Sequence, residues 1–196
     1  MCIRDSKWMR GKIETAGHSG QKITMKSDQE DASMALKKAI AVRRQANTAM
    51  IESPVRESKS NGRVEGAIKI WQGQYRTLRH QAETRMRKKI PRDSPLNSWL
   101  IGWTSEVMCK YKIHSDGRTS YELSTGHRFK MSVCGFAEKV HFKTATDKNH
   151  RNKLDTDWNV GYFLGTTERS NEYLVGTSSG ITACSTIRRM TDDLAY

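Results

Sequence analysis

The sequence of 196 residues has few of the features that mark secreted, membrane-spanning or disordered proteins. No apolar run approaches the roughly eighteen residues that span a bilayer, and the N-terminus lacks the apolar segment of a signal peptide. Only three prolines interrupt the chain, which argues against a long disordered tract. We therefore expect a soluble protein that is not secreted and does not contact a membrane.

Metal-binding and disulfide patterns are also missing. The four cysteines are dispersed with no Cys-x-x-Cys pair, so neither a zinc knuckle nor a disulfide framework is indicated. The six histidines show no paired ligand spacing. The cysteines are expected to be free thiols in a reducing compartment.

Positive charge is abundant. The chain has 34 Lys and Arg against 21 Asp and Glu, a formal net charge of +13. A charge of this size favours an anionic partner, of which nucleic acid and acidic membrane surfaces are the common ones. It carries no information about the fold.

The first half of the chain alternates between strand and helix patterns. Residues 1–21 are polar and glycine-rich, and we treat them as a leader outside the fold, either native or an artefact. Alternation over 22–27 predicts a short strand, apolar spacing of three to four predicts a helix to about Ala46, and 48–53 predicts a second strand.

Two longer helices are predicted next. Arg63 to about Lys89 is the longest periodic segment, and its apolar stripe is expected to be core. Leu96 to Tyr111 predicts another amphipathic helix. The apolar stripe of the first of these helices consists of Val64, Ile68, Trp71, Tyr75 and Leu78.

From His114 onward, glycines separate short β-rich runs, which is typical of a small antiparallel barrel or sandwich. The runs are 132–142, 160–164, 172–176 and 181–187. Residues 176–180 match the G-x-S-x-G pattern of hydrolases, but they lie between two β-rich runs rather than at a strand-to-helix elbow. A hairpin turn is the better interpretation there.

Two carboxylates occupy positions suited to chemistry. Asp28 follows the first predicted strand, and Glu65 lies in the first turn of the long helix. Each also has a structural explanation, because Asp28 could cap the next helix together with Asp31, and Glu65 could be an acid favoured by the helix dipole.

The long helix presents a second stripe beside its apolar one. Glu65, Lys69, Gln72 and Arg76 stand at i, i+4, i+7 and i+11. An acid followed by two cations and an amide suits metal-assisted phosphoryl chemistry, in which the acid holds a divalent ion and the others hold phosphates. The alternative is an ordinary solvated face with a Glu-to-Lys pair.

Charge counting favours a phosphate-binding track. The segment from Arg56 to Arg92 has eleven Lys and Arg against three acids, a net of +8, which is more than half of the total. Solvated helices usually mix signs, so we interpret this segment as a track for a nucleic-acid backbone. Its other candidate contacts are Lys59, Arg63 and Arg79.

The order of motifs resembles a known family. K-I-T-M-K-S-D-Q-E, then A-M-I-E-S-P and S-N-G-R-V-E, resemble the second and third parts of the D,D,E active site of retroelement integrases. Downstream, D-G-R-T-S-Y-E-L, G-F-A-E-K-V-H-F, N-V-G-Y-F-L-G-T and E-Y-L-V-G-T are similar to the region after the integrase core in copia-type LTR retrotransposon Pol polyproteins.

This resemblance implies an α/β plus all-β fold, a partial RNase H-like integrase core followed by a small Src-homology-3-like β-barrel. It implies that Asp28 and Glu65 are catalytic ligands of two Mg²⁺ or Mn²⁺ ions in the intact enzyme, and that Lys69 and Gln72 contact the DNA end. Element ends and target DNA would be the partners of a homo-oligomer in the nucleus or in a cytoplasmic virus-like particle. The implied division is 22–113 core, 114–131 linker, 132–190 barrel and 191–196 tail.

One departure from the family affects the expected activity. Only 27 residues precede Asp28, whereas the strands that should carry a first catalytic Asp need roughly 50 or more. Asp5 is too close to serve. We therefore expect a fragment that neither processes DNA ends nor joins strands by itself. The rival hypotheses are a nucleic-acid-binding module without chemistry and a cationic helical protein with a purely structural role.

Overall fold

The computed structural model describes residues 3–27, 29–44, 47–52, 62–131, 134–143, 156–167 and 170–190. The chain forms two compact units, Met1–Lys69 and Ile70–Tyr196. The helix α3 (Gly62–Met86) begins in the first unit and continues into the second.

The first unit contains two helices and a two-stranded parallel sheet. The helix α1 (Ile3–Ile13) continues into a π-helical turn, Glu14–His18, and is followed by β1 (Ile23–Ser27), α2 (Asp31–Arg44) and β2 (Thr48–Glu52). β1 and β2 pair in parallel, with Ile23 opposite Thr48 and Ser27 opposite Glu52. Parallel strands need a crossover connection, and α2 supplies it. The predicted strands at 22–27 and 48–53 and the helix between them are therefore present.

Apolar periodicity does not predict α1, and its contacts with α2 include a buried polar side chain. Ser6 is 1% exposed, and Arg43 Nε donates a hydrogen bond to Ser6 Oγ over 3.0 Å. The buried guanidinium of Arg44 donates to the carbonyl oxygens of His18 and Gln21 over 2.7 and 3.0 Å. The predicted leader is thus folded against α2 in its described part.

The second unit combines helices with a five-stranded antiparallel sheet. After the main part of α3 come α4 (Leu96–Tyr111) and α5 (Ser120–Thr125). The strands are β3 (Lys139–Lys143), β4 (Trp158–Thr166), β5 (Tyr173–Thr177), β6 (Gly180–Cys184) and β7 (Ile187–Arg189). Their order is β6-β5-β4-β3-β7, with a bulge in β4 between Phe163 and Gly165. The β-rich runs of the sequence correspond to these strands, although residues 134–138 precede β3 instead of belonging to it.

One hydrophobic core joins the helices and the sheet of the second unit. Leu100 and Trp103 of α4 pack with Phe163 of β4, and the rings of Trp103 and Phe163 meet edge to face at 4.9 Å. Leu78 and Ala82 of α3 belong to the same cluster. The core therefore includes residues from both sides of the boundary at 113/114. The RNase H-like core and the Src-homology-3-like barrel stay predictions.

A short helix lies in the segment that we predicted to be a linker, 114–131. A capping box begins α5: Glu122 N donates to Thr119 Oγ1, and Thr119 N donates to the Glu122 carboxylate. Gly126 ends it with a left-handed φ of 78°. Reciprocal capping supplies partners for backbone groups that a helix this short would otherwise leave unpaired.

The apolar stripe of α3 is only partly core. Leu78 is 9% exposed, as predicted, and Trp71 and Tyr75 are half-buried. Val64 and Ile68 are 60% and 49% exposed, so the prediction is wrong for them. The periodicity of a helix gives the direction of its apolar face, but it does not show how far along the helix a neighbour covers that face.

None of the helices in the described ranges combines the length and the apolar character that crossing a membrane requires.

Candidate nucleic-acid interface

The helix α3 places its polar stripe in solvent. Glu65, Lys69, Gln72 and Arg76 are all exposed, and their spacing puts them on one side of a continuous helix. Arg63 is exposed in the first turn as well, but it stands two residues before Glu65 and therefore on the opposite side of the helix, so its DNA contact stays a prediction. We call the four residues of the stripe the α3 polar face. The predicted contacts on this helix are therefore accessible to a partner.

The exposed charge around this face is almost entirely positive. Between residues 62 and 92, Glu65 is the one exposed acid, because Glu83 is 9% exposed. The exposed cations of the same segment are Arg63, Lys69, Arg76, Arg87, Lys88, Lys89 and Arg92. Most of the positive charge of residues 62–92 is therefore at the surface.

Other cations of the segment hold the second unit together instead. Arg79 is half-buried, donates to Glu83 Oε1 over 3.1 Å and donates to the carbonyl oxygen of Ile90. Arg85 Nη1 donates to the carbonyl oxygen of Phe136 over 3.2 Å. The guanidinium of Arg79 thus has partners within the chain, and its assignment to DNA stays a prediction.

Glu83 organises the end of α3. Its carboxylate accepts hydrogen bonds from Lys89 Nζ at 2.8 Å and from the amide of Ile90 at 3.1 Å, besides the one from Arg79. The hydrogen bond from Lys89, followed by that from Ile90, lowers the pKa of Glu83 from its ordinary 4.5 to about 2. This acid stabilises the turn after the helix and does not belong to the α3 polar face.

Two predicted site residues, Asp28 and Lys59, lie outside the described residues. The described part of β1 ends at Ser27, and Glu65 stands in the first turn of α3. The metal-binding role of Asp28 and Glu65 and the DNA contact of Lys59 therefore stay predictions.

The described side chains do not by themselves form a metal centre. Within the described ranges, no three His, Cys, Asp or Glu side chains come together closely enough to hold an ion. A divalent ion placed well in a protein needs more than the single carboxylate of Glu65.

Sequence reasoning missed a second group of cations around Trp158. Lys143 Nζ lies 5.0 Å from the centre of the Trp158 ring, and Arg188 Cζ lies 4.5 Å from it. The alternation of polar and apolar residues in Lys-Val-His-Phe-Lys at 139–143 could have predicted part of this group, because it puts every second residue on one face of a strand.

Comparisons with known proteins give a distant structural neighbour. No protein-family model matches the chain, and no curated protein has a significantly similar sequence. Among solved structures, the chain is similar to one in a cryo-EM structure of a simian T-cell lymphotropic virus intasome in complex with PP2A regulatory subunit B56 gamma. The TM-score is 0.40 and the identity 13%, and the match covers 95% of this chain and 64% of the other. The chain thus spans less than two thirds of its neighbour, and a likeness this low assigns neither fold nor family.

Proposed function

We propose that this protein binds the backbone of double-stranded DNA through the α3 polar face. The observation that carries the proposal is the joint exposure of Lys69, Gln72 and Arg76 on one side of one helix, where Glu65 is the one exposed acid from residue 62 to 92. Lysine, arginine and glutamine side chains are the usual donors to phosphate oxygens.

The affinity should depend steeply on salt. Each phosphate that a cation neutralises releases condensed counterions, which contributes about 0.9 to the slope of log K against log salt concentration. The two cations of the α3 polar face therefore contribute about 1.8 to this slope. Gln72 adds a neutral hydrogen-bond donor, which fixes position without changing the salt dependence.

We further propose that the chain is a piece of an integrase of the copia-type retrotransposon kind. The support for this is the order of motifs in the sequence together with the exposed position of Glu65 at the start of α3. In the complete enzyme, Glu65 and Asp28 would hold divalent ions that supply the electrophilic assistance for phosphoryl transfer. The chain by itself is expected to bind DNA without cutting or joining it.

The binding proposal is tested by removing charge from the α3 polar face. The variant Lys69→Ala/Arg76→Ala is compared with the wild-type chain by fluorescence anisotropy on a labelled duplex. When salt rises from about 50 to about 200 mM, the affinity of the wild-type chain should fall about 12-fold more than that of the variant. Circular dichroism verifies that both proteins are folded.

A charge-matched control separates position from bulk charge. Lys38 and Lys130 are exposed and lie outside α3, and their replacement by alanine removes the same charge. This control should keep nearly the wild-type salt slope. Equal slopes for the two double variants would show that the net charge of the chain, and not the α3 polar face, binds DNA.

The non-catalytic alternative predicts the same binding, so activity has to be measured separately. A strand-transfer assay with Mn²⁺ should give no product with this chain. A metal-dependent product that Glu65→Gln abolishes would contradict the expected inactivity while supporting the role of Glu65.

A further inference from the structure

The sheet of the second unit has one face turned away from the hydrophobic core. On β3, Val140 and Phe142 are 0% and 2% exposed, while Lys139, His141 and Lys143 alternate with them. Residues directly opposite each other on paired antiparallel strands share a face. The partners of these three on β4 and β7 are Tyr162 opposite Lys139, Val160 and Arg188 opposite His141, and Trp158 opposite Lys143. We call these seven residues the outer sheet face.

Two cations lie beside the Trp158 ring on this face. Lys143 Nζ and Arg188 Cζ lie 5.0 and 4.5 Å from its ring centre, within the range of a cation–π interaction. The negative face of the ring attracts both charges and so offsets part of their mutual repulsion. Asp157 forms an ion pair with Lys143, with its carboxylate 3.5 Å from Nζ, and because both side chains are partly exposed this pair contributes little stability. Two cations are therefore held beside the same ring before any ligand binds.

An exposed apolar row runs beside the cations. Val160 is 47% and Tyr162 is 50% exposed, and with Trp158 they occupy alternate positions along β4. A duplex buries its base faces in the stack and would leave this row without a partner. An unpaired strand offers phosphates to the cations and base faces to an aromatic ring. The combination of charge and exposed ring thus fits unpaired better than paired nucleic acid.

We propose that the outer sheet face binds single-stranded nucleic acid, with Lys143 and Arg188 holding a phosphate and the Tyr162 ring stacking on a base. Trp158 acts as a positioning residue that keeps the two cations together. This surface lies on the sheet and not on α3, and it binds a different form of nucleic acid, so the inference does not rest on the proposed function.

The test uses the whole chain with a labelled oligo-dT strand and with a duplex of the same length. Tyr162→Ala should weaken binding of the single strand about fivefold or more, which is the range of losing one base stack. Tyr162→Phe keeps the ring and should bind like the wild-type chain. Lys143→Ala/Arg188→Ala should weaken single-strand binding more than the charge-matched control Lys38→Ala/Lys130→Ala.

The outcomes distinguish the two surfaces. The variant Lys69→Ala/Arg76→Ala should lose duplex affinity, and the variants of the outer sheet face should lose single-strand affinity. Unchanged single-strand binding in folded Tyr162→Ala would overturn the proposal, because stacking would then contribute nothing. Equal losses for the duplex and the single strand in Lys143→Ala/Arg188→Ala would also overturn it, since the face would then be a site for duplex backbone. Absence of single-strand binding by the wild-type chain would overturn it as well, and an acidic protein would then be the partner that fits the charge.

Discussion

Replacing Gly161 by alanine should destabilise the second unit, because the sheet has no space for the added methyl group. A Cβ at this position would overlap Val175 Cγ1 and would lie 2.9 Å from the carbonyl oxygen of Gly176 and 3.1 Å from Phe142 Cε1. Two of these neighbours are core side chains and one is backbone, so the strand itself has to move. Overpacking of this kind costs about 1–3 kcal/mol. In a unit of this size, each kcal/mol lowers Tm by about 4 °C.

The same substitution at Gly73 is the matched control. Gly73 lies inside α3, and no heavy atom is within 4 Å of an added Cβ. Alanine should therefore stabilise the helix by up to about 1 kcal/mol. Both glycines belong to the unit Ile70–Tyr196, and both effects are measured by urea unfolding followed by tryptophan fluorescence. A Gly161→Ala variant as stable as the wild-type chain, or a Gly73→Ala variant destabilised as strongly as Gly161→Ala, would refute the packing described for the sheet.

Three further changes test other contacts. Because the pKa of Glu83 is lowered to about 2, its stabilising effect is complete above its ordinary pKa of 4.5 and is lost as the pH falls toward 2. Glu83→Gln should therefore lower the urea midpoint of unfolding at pH 7. As the pH falls toward 2, the midpoints of the variant and of the wild-type chain should converge. A constant difference between the two midpoints from pH 7 to pH 2 would contradict a role for the ionised carboxylate. Leu100→Ala should lower the free energy of unfolding by about 2–5 kcal/mol, since this side chain is fully buried. Replacing its exposed neighbour, Ile101→Ala, should change the free energy of unfolding by less than about 0.5 kcal/mol in the same experiment. Thr119→Ala should destabilise the start of α5 by about 0.5–2 kcal/mol. The measurement is hydrogen exchange of the Glu122 amide, which donates to Thr119 Oγ1 and should exchange faster in the variant. Unchanged exchange would exclude this cap.

Local patterns predicted the regular elements well. The strand–helix–strand order from β1 to β2 and the two long helices α3 and α4 follow from apolar periodicity and from the turn residues between them. The exposed α3 polar face was also predictable, because four polar side chains at helical spacing must share a side of the helix. These features depend on residues close together in the sequence.

The remaining features depend on contacts between distant residues. Buried polar partners hold α1, such as Ser6 with Arg43, and composition gives no sign of such a pair. The exposure of Val64 depends on what covers the start of α3, and the periodicity of that helix is the same whether it is covered or not. The cluster around Trp158 joins residues of three strands, so its charges are scattered in the sequence. A charge count groups Arg79 with the DNA contacts because it does not distinguish a solvated cation from one bonded within the chain.

Protection of individual lysines from acetylation, measured by mass spectrometry with and without duplex DNA, tests the central claim most directly. Lys69 lies on the α3 polar face, whereas Lys38 is exposed on α2 and serves as the internal reference. We predict that duplex DNA slows acetylation of Lys69 strongly and leaves Lys38 unchanged, and that this protection disappears at high salt. Equal acetylation of Lys69 with and without bound duplex would contradict the assignment of DNA binding to α3.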